Sequence, residues 1–108
     1  MIIAFVTFTP TISRDEAIAK MDASTAVYRK VDGLIRKYYV DLKDGRFGGI
    51  YLWESRAKAE AFYDASWPAR FDAYGAGVRP KLEYMDCAFV VDNKIGETIS
   101  GVKATAMA

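Results

Sequence analysis

The sequence contains no histidine and a single cysteine, Cys87. Histidine is the commonest general base near neutral pH, so its absence excludes Ser-His and Cys-His nucleophile pairs. It also excludes the histidine-based sites for zinc, haem and facial-triad iron. One cysteine cannot form an internal disulfide, which is compatible with a reducing cytoplasm. We therefore expect a cytoplasmic protein that carries no transition-metal or haem cofactor.

Long apolar runs and clustered charge are missing as well. No apolar segment approaches the ~20 residues that a transmembrane helix needs, and the first residues lack the basic region of a signal peptide. The 15 basic and 14 acidic residues nearly balance. Because the basic residues are scattered along the chain, they form no electrostatic footprint for nucleic acid. We expect a soluble protein with neither a membrane nor a nucleic acid as partner.

Apolar residues, in contrast, are abundant. The chain has 108 residues, of which 52% are hydrophobic, so it is one folded domain rather than a disordered segment. A domain of this size buries roughly 60–70% of the surface of its unfolded chain. Exposed apolar faces are therefore expected to be covered by association with another chain.

Hydrophobic periodicity predicts the element order β-α-β-β-α-β. The predicted strands cover residues 2–9, 34–42, 47–54 and 80–92. The first helix starts at a capping box formed by Ser13 and Glu16 and stops at Gly33. An Asp-Gly turn at residues 43–46 joins the second and third strands. The second helix, about residues 55–65, is broken near Trp67-Pro68 and then restarts.

This order is the split βαβ, or ferredoxin-like, arrangement. We predict an α+β fold with a four-stranded antiparallel sheet in the order 4-1-3-2 and both helices on one face. Residues 1–92 would form the domain, and residues 93–108 a C-terminal tail or arm. Apolar residues on the other face of the sheet, such as Ile50 and Leu52, predict that two copies stack sheet on sheet as a homodimer.

Four short segments carry a family resemblance. They are Gly33–Lys37, Gly48–Ser55, Ala57–Tyr63 and Ala69–Arg70. Together they resemble the YdhR-type monooxygenases of the dimeric α/β-barrel superfamily, over roughly residues 2–92. The resemblance implies two ferredoxin-like protomers joined through their sheets, each with a pocket between sheet and helices.

The superfamily includes cofactor-independent oxygenases of polycyclic aromatics, haem-degrading oxygenases, isomerases and lactone-handling enzymes. The haem-degrading branch uses a helical histidine as iron ligand, which this sequence lacks. Where related sequences often carry histidine a few residues before the arginine, this chain has Trp67. The resemblance therefore supplies no histidine for acid–base chemistry.

The candidate site consists of aromatic side chains and arginines. Tyr51 and Trp53 share one face of the third strand, and Trp67 recurs with later residues at helical spacing. These rings could simply fill the core, or they could form an apolar wall with polar handles for a planar substrate. The predicted substrate-binding residues are Arg36, Tyr51, Trp53, Phe62 and Trp67. The predicted catalytic residues are Arg70 as anion stabiliser and Tyr38 or Tyr74 as proton relay.

The favoured function is a cofactor-independent monooxygenase acting on a small or polycyclic phenolic aromatic. In that chemistry the substrate supplies the electrons, and the protein supplies desolvation and an oxyanion partner. A non-catalytic binder of small aromatic ligands, and an isomerase or lactonase of the same superfamily, are the alternatives. No residue of the sequence is assigned as the general base.

Overall fold

A computed structural model describes residues 1–100 of the chain. Its strands are β1 (Ile2–Phe8), β2 (Leu34–Asp41), β3 (Phe47–Trp53), β4 (Lys81–Asp86), β5 (Phe89–Asp92) and β6 (Glu97–Ser100). Its helices are α1 (Arg14–Tyr28), α2 (Arg56–Phe62) and a 3₁₀ helix (Trp67–Tyr74). Within these 100 residues no helix is both long enough and apolar enough to cross a membrane.

Four of the strands form one antiparallel sheet in the order β2-β3-β1-β4. This is the predicted order 4-1-3-2 read from the other edge, so the predicted ferredoxin-like α+β fold is confirmed. The strands alternate between two faces. Side chains of Ala4, Val6, Tyr51 and Trp53 are buried together with those of the helices. Ile50 points to the opposite face, as expected for a neighbour of Tyr51 in a strand.

Local signals set the start of both α-helices. The Ser13 hydroxyl accepts a hydrogen bond from the Glu16 backbone N–H at 3.2 Å and donates one to its carboxylate at 2.9 Å. The Ser55 hydroxyl caps α2 by accepting from the Lys58 backbone N–H. These bonds satisfy backbone donors that have no partner inside the helix. The α1 helix ends at Tyr28, earlier than Gly33, which turns the chain into β2 with a φ of 81°.

The predicted long final strand, residues 80–92, is wrong in its continuity. The structure divides it into β4, which belongs to the main sheet, and β5, which pairs with β6 in a separate hairpin. The break follows from the length of β1. Ile2 pairs with Asp86, and the last bond to this segment runs from the Cys87 backbone N–H to the Met1 carbonyl oxygen. Within residues 1–100, no strand of the main sheet pairs with the chain beyond Cys87, and β5 belongs to a separate hairpin.

Part of the predicted C-terminal tail belongs to the hairpin of β5 and β6. Residues 97–100 form a paired strand rather than a loose segment. Its β5 strand is anchored to the main sheet by an ion pair between Arg36 and the buried Asp92. The remainder of the predicted tail, residues 101–108, lies outside the described residues.

Gly48 brings β1 and β3 into close contact. A Cβ atom at Gly48 would overlap the backbone oxygen of Val6. We expect Gly48→Ala to lower the free energy of unfolding by about 2 kcal/mol, because the backbone of a central strand must move to admit the methyl group. Urea unfolding followed by tryptophan fluorescence would measure this loss.

Gly77→Ala is the matched control, because a Cβ at Gly77 would have no heavy atom within 4 Å. Its φ of 81° adds conformational strain alone, with an expected cost of about 1 kcal/mol. A Gly48→Ala protein as stable as the control would show that β1 and β3 need no close contact there.

Candidate functional site

A cavity of about 400 Å³ lies between the sheet and the helices, a volume within the range of small-molecule sites. Strands β1, β2 and β3 form its floor, and α1 and the 3₁₀ helix form its sides. Most of the wall is aromatic. The lining rings are those of Phe8, Tyr28, Tyr39, Tyr51, Phe62, Trp67, Phe71 and Tyr74.

Gly49 opens the floor of this cavity. It pairs with Val6 on one side and with Tyr39 on the other, so its missing side chain would stand at the centre of the sheet. A Cβ at this position would lie 2.8 Å from the Tyr51 ring and 3.2 Å from Cε of Lys37. The glycine therefore makes room for one ring and for the aliphatic stem of a lysine.

Five of the eight predicted site residues line the cavity. They are Tyr51, Phe62, Trp67, Arg70 and Tyr74. Trp53 does not: its ring is completely buried, and its indole N–H donates to the Tyr63 hydroxyl at 3.2 Å. Trp53 thus packs in the core beside the cavity.

Arg36, predicted to bind substrate, and Tyr38, predicted as a proton relay, lie on the opposite face of the sheet and do not line the cavity. Arg36 is opposite Leu52 and forms the ion pair with Asp92 described above. Tyr38 is opposite Ile50 and is 51% exposed. Neither residue is among those that line the cavity.

The hairpin loop between β2 and β3 explains this difference. A two-residue turn made of Asp44 and Gly45 would place Tyr38 opposite Tyr51. Instead, the Leu42 backbone N–H donates to the Arg46 carbonyl oxygen at 3.1 Å, which makes the loop one residue longer. A slip of one residue moves every side chain of a strand to the other face. Lys37 therefore stands opposite Tyr51.

Lys37 is a partly buried charged residue of the site that the sequence analysis did not assign to it. Its Nζ lies 3.4 Å from the ring centroid of Tyr28, 3.9 Å from that of Tyr39 and 4.6 Å from that of Tyr51. Among residues 1–100, no carboxylate lies within ion-pair distance of this amine. No hydrogen bond joins Nζ to another group of residues 1–100, and no completely enclosed side-chain nitrogen or oxygen there lacks a partner, so Nζ keeps some exposure. Because Lys37 lines the cavity, its amine is open to a ligand there.

The apolar surroundings change the acidity of the groups in the cavity. Burial lowers the pKa of Lys37 from its ordinary value of 10.5 to about 7, because a buried ammonium loses hydration and gains no carboxylate partner. Burial raises the pKa of the Tyr28, Tyr39 and Tyr51 hydroxyls, and it raises the pKa of Tyr74 to about 12. Near neutral pH the tyrosines keep their protons, whereas Lys37 can gain or lose one.

The charged side chains that line the cavity are all basic: Lys20, Lys37 and Arg70. No aspartate or glutamate of residues 1–100 is among the lining residues. Arg70 lies at the exposed mouth, with its guanidinium carbon 5.4 Å from the centroid of the Phe62 ring. An aromatic cavity with this charge suits a planar ligand that is an anion or becomes one.

Residues 1–100 contain no group of three or more histidine, cysteine, aspartate or glutamate side chains that could hold a metal ion. The absence of a metal cofactor stays a prediction. Residues 1–100 supply the cavity with aromatic surface, hydroxyl groups, the amines of Lys20 and Lys37 and the guanidinium of Arg70.

Fold and cavity together define an α+β protein of the ferredoxin-like type with a small-molecule cavity between sheet and helices. This is the fold of the antibiotic biosynthesis monooxygenase structures. A candidate antibiotic biosynthesis monooxygenase from Deinococcus radiodurans matches with a TM-score of 0.60 and 18% identity, over 85% of this chain and 97% of that one.

Two proteins from Streptomyces match in the same way. One is SnoaB from Streptomyces nogalater, a cofactor-independent oxygenase, with a TM-score of 0.60 and 17% identity over 80% of this chain and 92% of that one. The other is the monooxygenase ActVA-Orf6 from Streptomyces coelicolor in complex with nanaomycin D, with a TM-score of 0.58 and 22% identity over 80% and 86%. Identities this low show a shared fold. No protein-family model and no curated protein matches the sequence.

Proposed function

We propose that the chain is a cofactor-independent monooxygenase of the YdhR type that acts on a small or polycyclic phenolic aromatic. The observation that carries the proposal is the aromatic cavity whose charged lining groups are all basic. Such a cavity favours a flat ligand with a phenolate or enolate oxygen. Two proteins of the same fold support the reaction class, since SnoaB is a cofactor-independent oxygenase and ActVA-Orf6 is a monooxygenase.

The proposed reaction needs no electrons from the protein. A substrate of the anthrone kind loses a proton, and the resulting anion passes an electron to O₂. One oxygen atom then becomes the carbonyl oxygen of the product, and the other leaves as water with the two hydrogens of the oxidised carbon. The protein contributes a water-poor site and a partner for the developing oxyanion.

The residues that line the cavity divide these tasks. Tyr51, Phe62 and Trp67 provide flat apolar surface for the aromatic rings of the substrate. Arg70, at the mouth, holds the substrate oxygen as its negative charge develops. Tyr74 relays protons, because its raised pKa keeps its hydroxyl protonated. Arg36, Tyr38 and Trp53 have no part in the proposed site because they lie outside the cavity.

The test of this function is oxygen uptake by purified protein with a panel of anthrones, naphthols and dihydroxynaphthalenes, in the presence of a metal chelator and without added flavin. We expect uptake of one O₂ per product, with one oxygen atom recovered in the product by mass spectrometry. Saturable binding of the panel without uptake would favour the ligand-binding module. A product that gains no oxygen atom would favour the isomerase or lactonase.

The proposed enzyme works in the cytoplasm as a homodimer that joins the open faces of two sheets. This face carries the half-buried side chains of Ile3, Phe5 and Ile50, and Tyr38 and Met85 are 51% and 46% exposed there. Apolar surface of this kind is usually covered by a partner. We expect sedimentation to give about twice the chain mass of 12.0 kDa.

Met85→Lys is the matched variant for this prediction, because it places a charge on that face without touching the cavity. It should shift the equilibrium toward the monomer. A native protein that sediments as a 12.0 kDa species at micromolar concentration would contradict the dimer.

A further inference from the structure

Lys37 lines the cavity but has no role in the reaction proposed above. Strand β2 directs its side chain into the cavity opposite Tyr51, and Gly49 leaves space for its stem. Among residues 1–100, the titratable and charged groups that line the cavity around Lys37 come from four of the elements packed there, whereas β1 and α2 contribute only apolar side chains. They are Lys20 and Tyr28 of α1, Tyr39 of β2, Tyr51 of β3, and Arg70 and Tyr74 of the 3₁₀ helix.

Lys37, rather than any of these surrounding groups, is suited to accept a proton near neutral pH. Arginine has no acceptor site and does not deprotonate in proteins, so Arg70 can hold an anion but cannot create one. The buried tyrosines keep their protons because burial raises their pKa values. Lys20 is exposed to water. The amine of Lys37, in contrast, titrates at a pKa of about 7 and is open to the cavity.

We propose that Lys37 is the general base of the cavity, and that its neutral amine takes the proton of a phenolic hydroxyl on the bound ligand. The O–H bond of the phenol breaks, an N–H bond forms on Nζ, and a phenolate–ammonium pair replaces two neutral groups. This inference rests on the proposed function for its ligand class. It adds the group that the oxygenase chemistry requires before any electron passes to O₂.

Three tyrosine rings surround the ammonium that this proton transfer forms on Lys37. An ammonium at Nζ would lie within 5 Å of the centroids of Tyr28, Tyr39 and Tyr51, which is the geometry of a cation–π contact. The rings attract the charged form without neutralising it, unlike a carboxylate. The amine can therefore stay neutral before the ligand enters and become charged once a phenolate lies beside it.

The test is anaerobic binding of 2-naphthol, whose naphtholate absorbs at a longer wavelength than the neutral naphthol. At about pH 8 we expect the native protein to hold the ligand as naphtholate without net release of protons, since the proton moves from the ligand to Lys37. In Lys37→Met the ligand should still bind, and its ionised fraction should fall at least about tenfold. Proton release is read from calorimetry in buffers of different ionisation enthalpy.

Two variants sharpen the comparison. Lys37→Arg keeps a cation but cannot accept a proton, so it should bind naphtholate with release of about one proton per ligand. Lys30→Met removes an exposed lysine outside the cavity and should behave as the native protein.

Binding of neutral naphthol by the native protein would overturn the role of Lys37, and so would naphtholate binding with release of one proton. Either result leaves the oxygenase proposal standing. If the protein holds the ligand as naphtholate but takes up no oxygen in air with any substrate of the panel, the oxygenase proposal is overturned. The proposal that Lys37 is the general base then stands. No binding of 2-naphthol or any other phenol of the panel would overturn both.

Discussion

Replacing Lys37 with methionine is expected to raise the free energy of unfolding by about 3–5 kcal/mol at or below pH 7. The pKa of this lysine falls from 10.5 to about 7 on folding, and each pKa unit corresponds to ~1.4 kcal/mol. The full difference amounts to about 5 kcal/mol, and the incomplete burial of the Lys37 side chain lowers the expected value. A typical domain has a free energy of unfolding of ~5–15 kcal/mol, so burial of this one amine lowers that free energy by a large fraction.

The direction of the pH dependence follows from proton counting. Between pH 7 and about 10 the unfolded chain holds the Lys37 proton and the folded chain does not, so stability rises with pH in that window. Below pH 7 both states hold the proton, and the folded state bears the whole cost of a buried ammonium. The advantage of Lys37→Met should therefore shrink by ~1.4 kcal/mol per pH unit above pH 7.

The measurement is urea unfolding of both proteins at a series of pH values from about 6 to 9.5, with the difference between the two curves as the readout. Taking the difference cancels the tyrosines, whose raised pKa values make the folded state less stable only at higher pH. Lys30→Met, at an exposed position, should give a difference within about 0.5 kcal/mol at every pH. A pH-independent difference for Lys37→Met would mean that Lys37 stays charged in the folded protein.

The fold was predictable because its signals are local and agree with one another. The capping serines Ser13 and Ser55, the Asp-Gly turn and the Pro68 break each mark one boundary. The alternation of apolar residues then leaves few ways to join the elements. The break at Cys87 could not be predicted, because it depends on where the neighbouring strand β1 begins. That information lies at the other end of the chain.

The cavity was predictable in part, and for a related reason. Residues of β3 and of the 3₁₀ helix, such as Tyr51 and Arg70, were placed correctly because their faces follow from helix and strand periodicity alone. The faces of β2 depend on the hairpin loop, where one additional residue exchanges Tyr38 for Lys37. A Gly-Gly pair opposite this strand was the available signal, since Gly49 leaves room for a long side chain to cross it.

The unusual lysine and the predicted activity have one physical cause. A water-poor cavity disfavours the ammonium of Lys37 in the folded protein, and the same property makes the amine a base near neutral pH. In the proposed site, burial of Lys37 lowers the free energy of unfolding and at the same time makes its amine a proton acceptor near neutral pH. Lys37→Met should therefore yield a protein that is more stable and less active, which simple loss of a structural contact would not produce.

Arg70→Leu is expected to lower the turnover of a phenolic substrate by about 100-fold, because it removes the cation that we propose as the partner of the developing oxyanion. Leucine keeps an apolar contact with the Phe62 ring, over which the guanidinium now lies. Because Arg70 is exposed at the mouth of the cavity, the free energy of unfolding should change by less than about 0.5 kcal/mol. The binding constant of the neutral substrate should change much less than turnover does.

Arg56→Leu is the matched control for this prediction. Arg56 also lies over an aromatic ring, with its guanidinium carbon 4.5 Å from the centroid of Tyr84, but it does not line the cavity. Steady-state oxygen uptake by the two variants separates a general effect of losing a stacked arginine from the loss of an anion partner. Equal turnover in both variants would show that the substrate oxygen is held elsewhere. A 100-fold loss confined to Arg70→Leu would place that oxygen at the cavity mouth, where Arg70 can complete the charge balance that proton transfer to Lys37 begins.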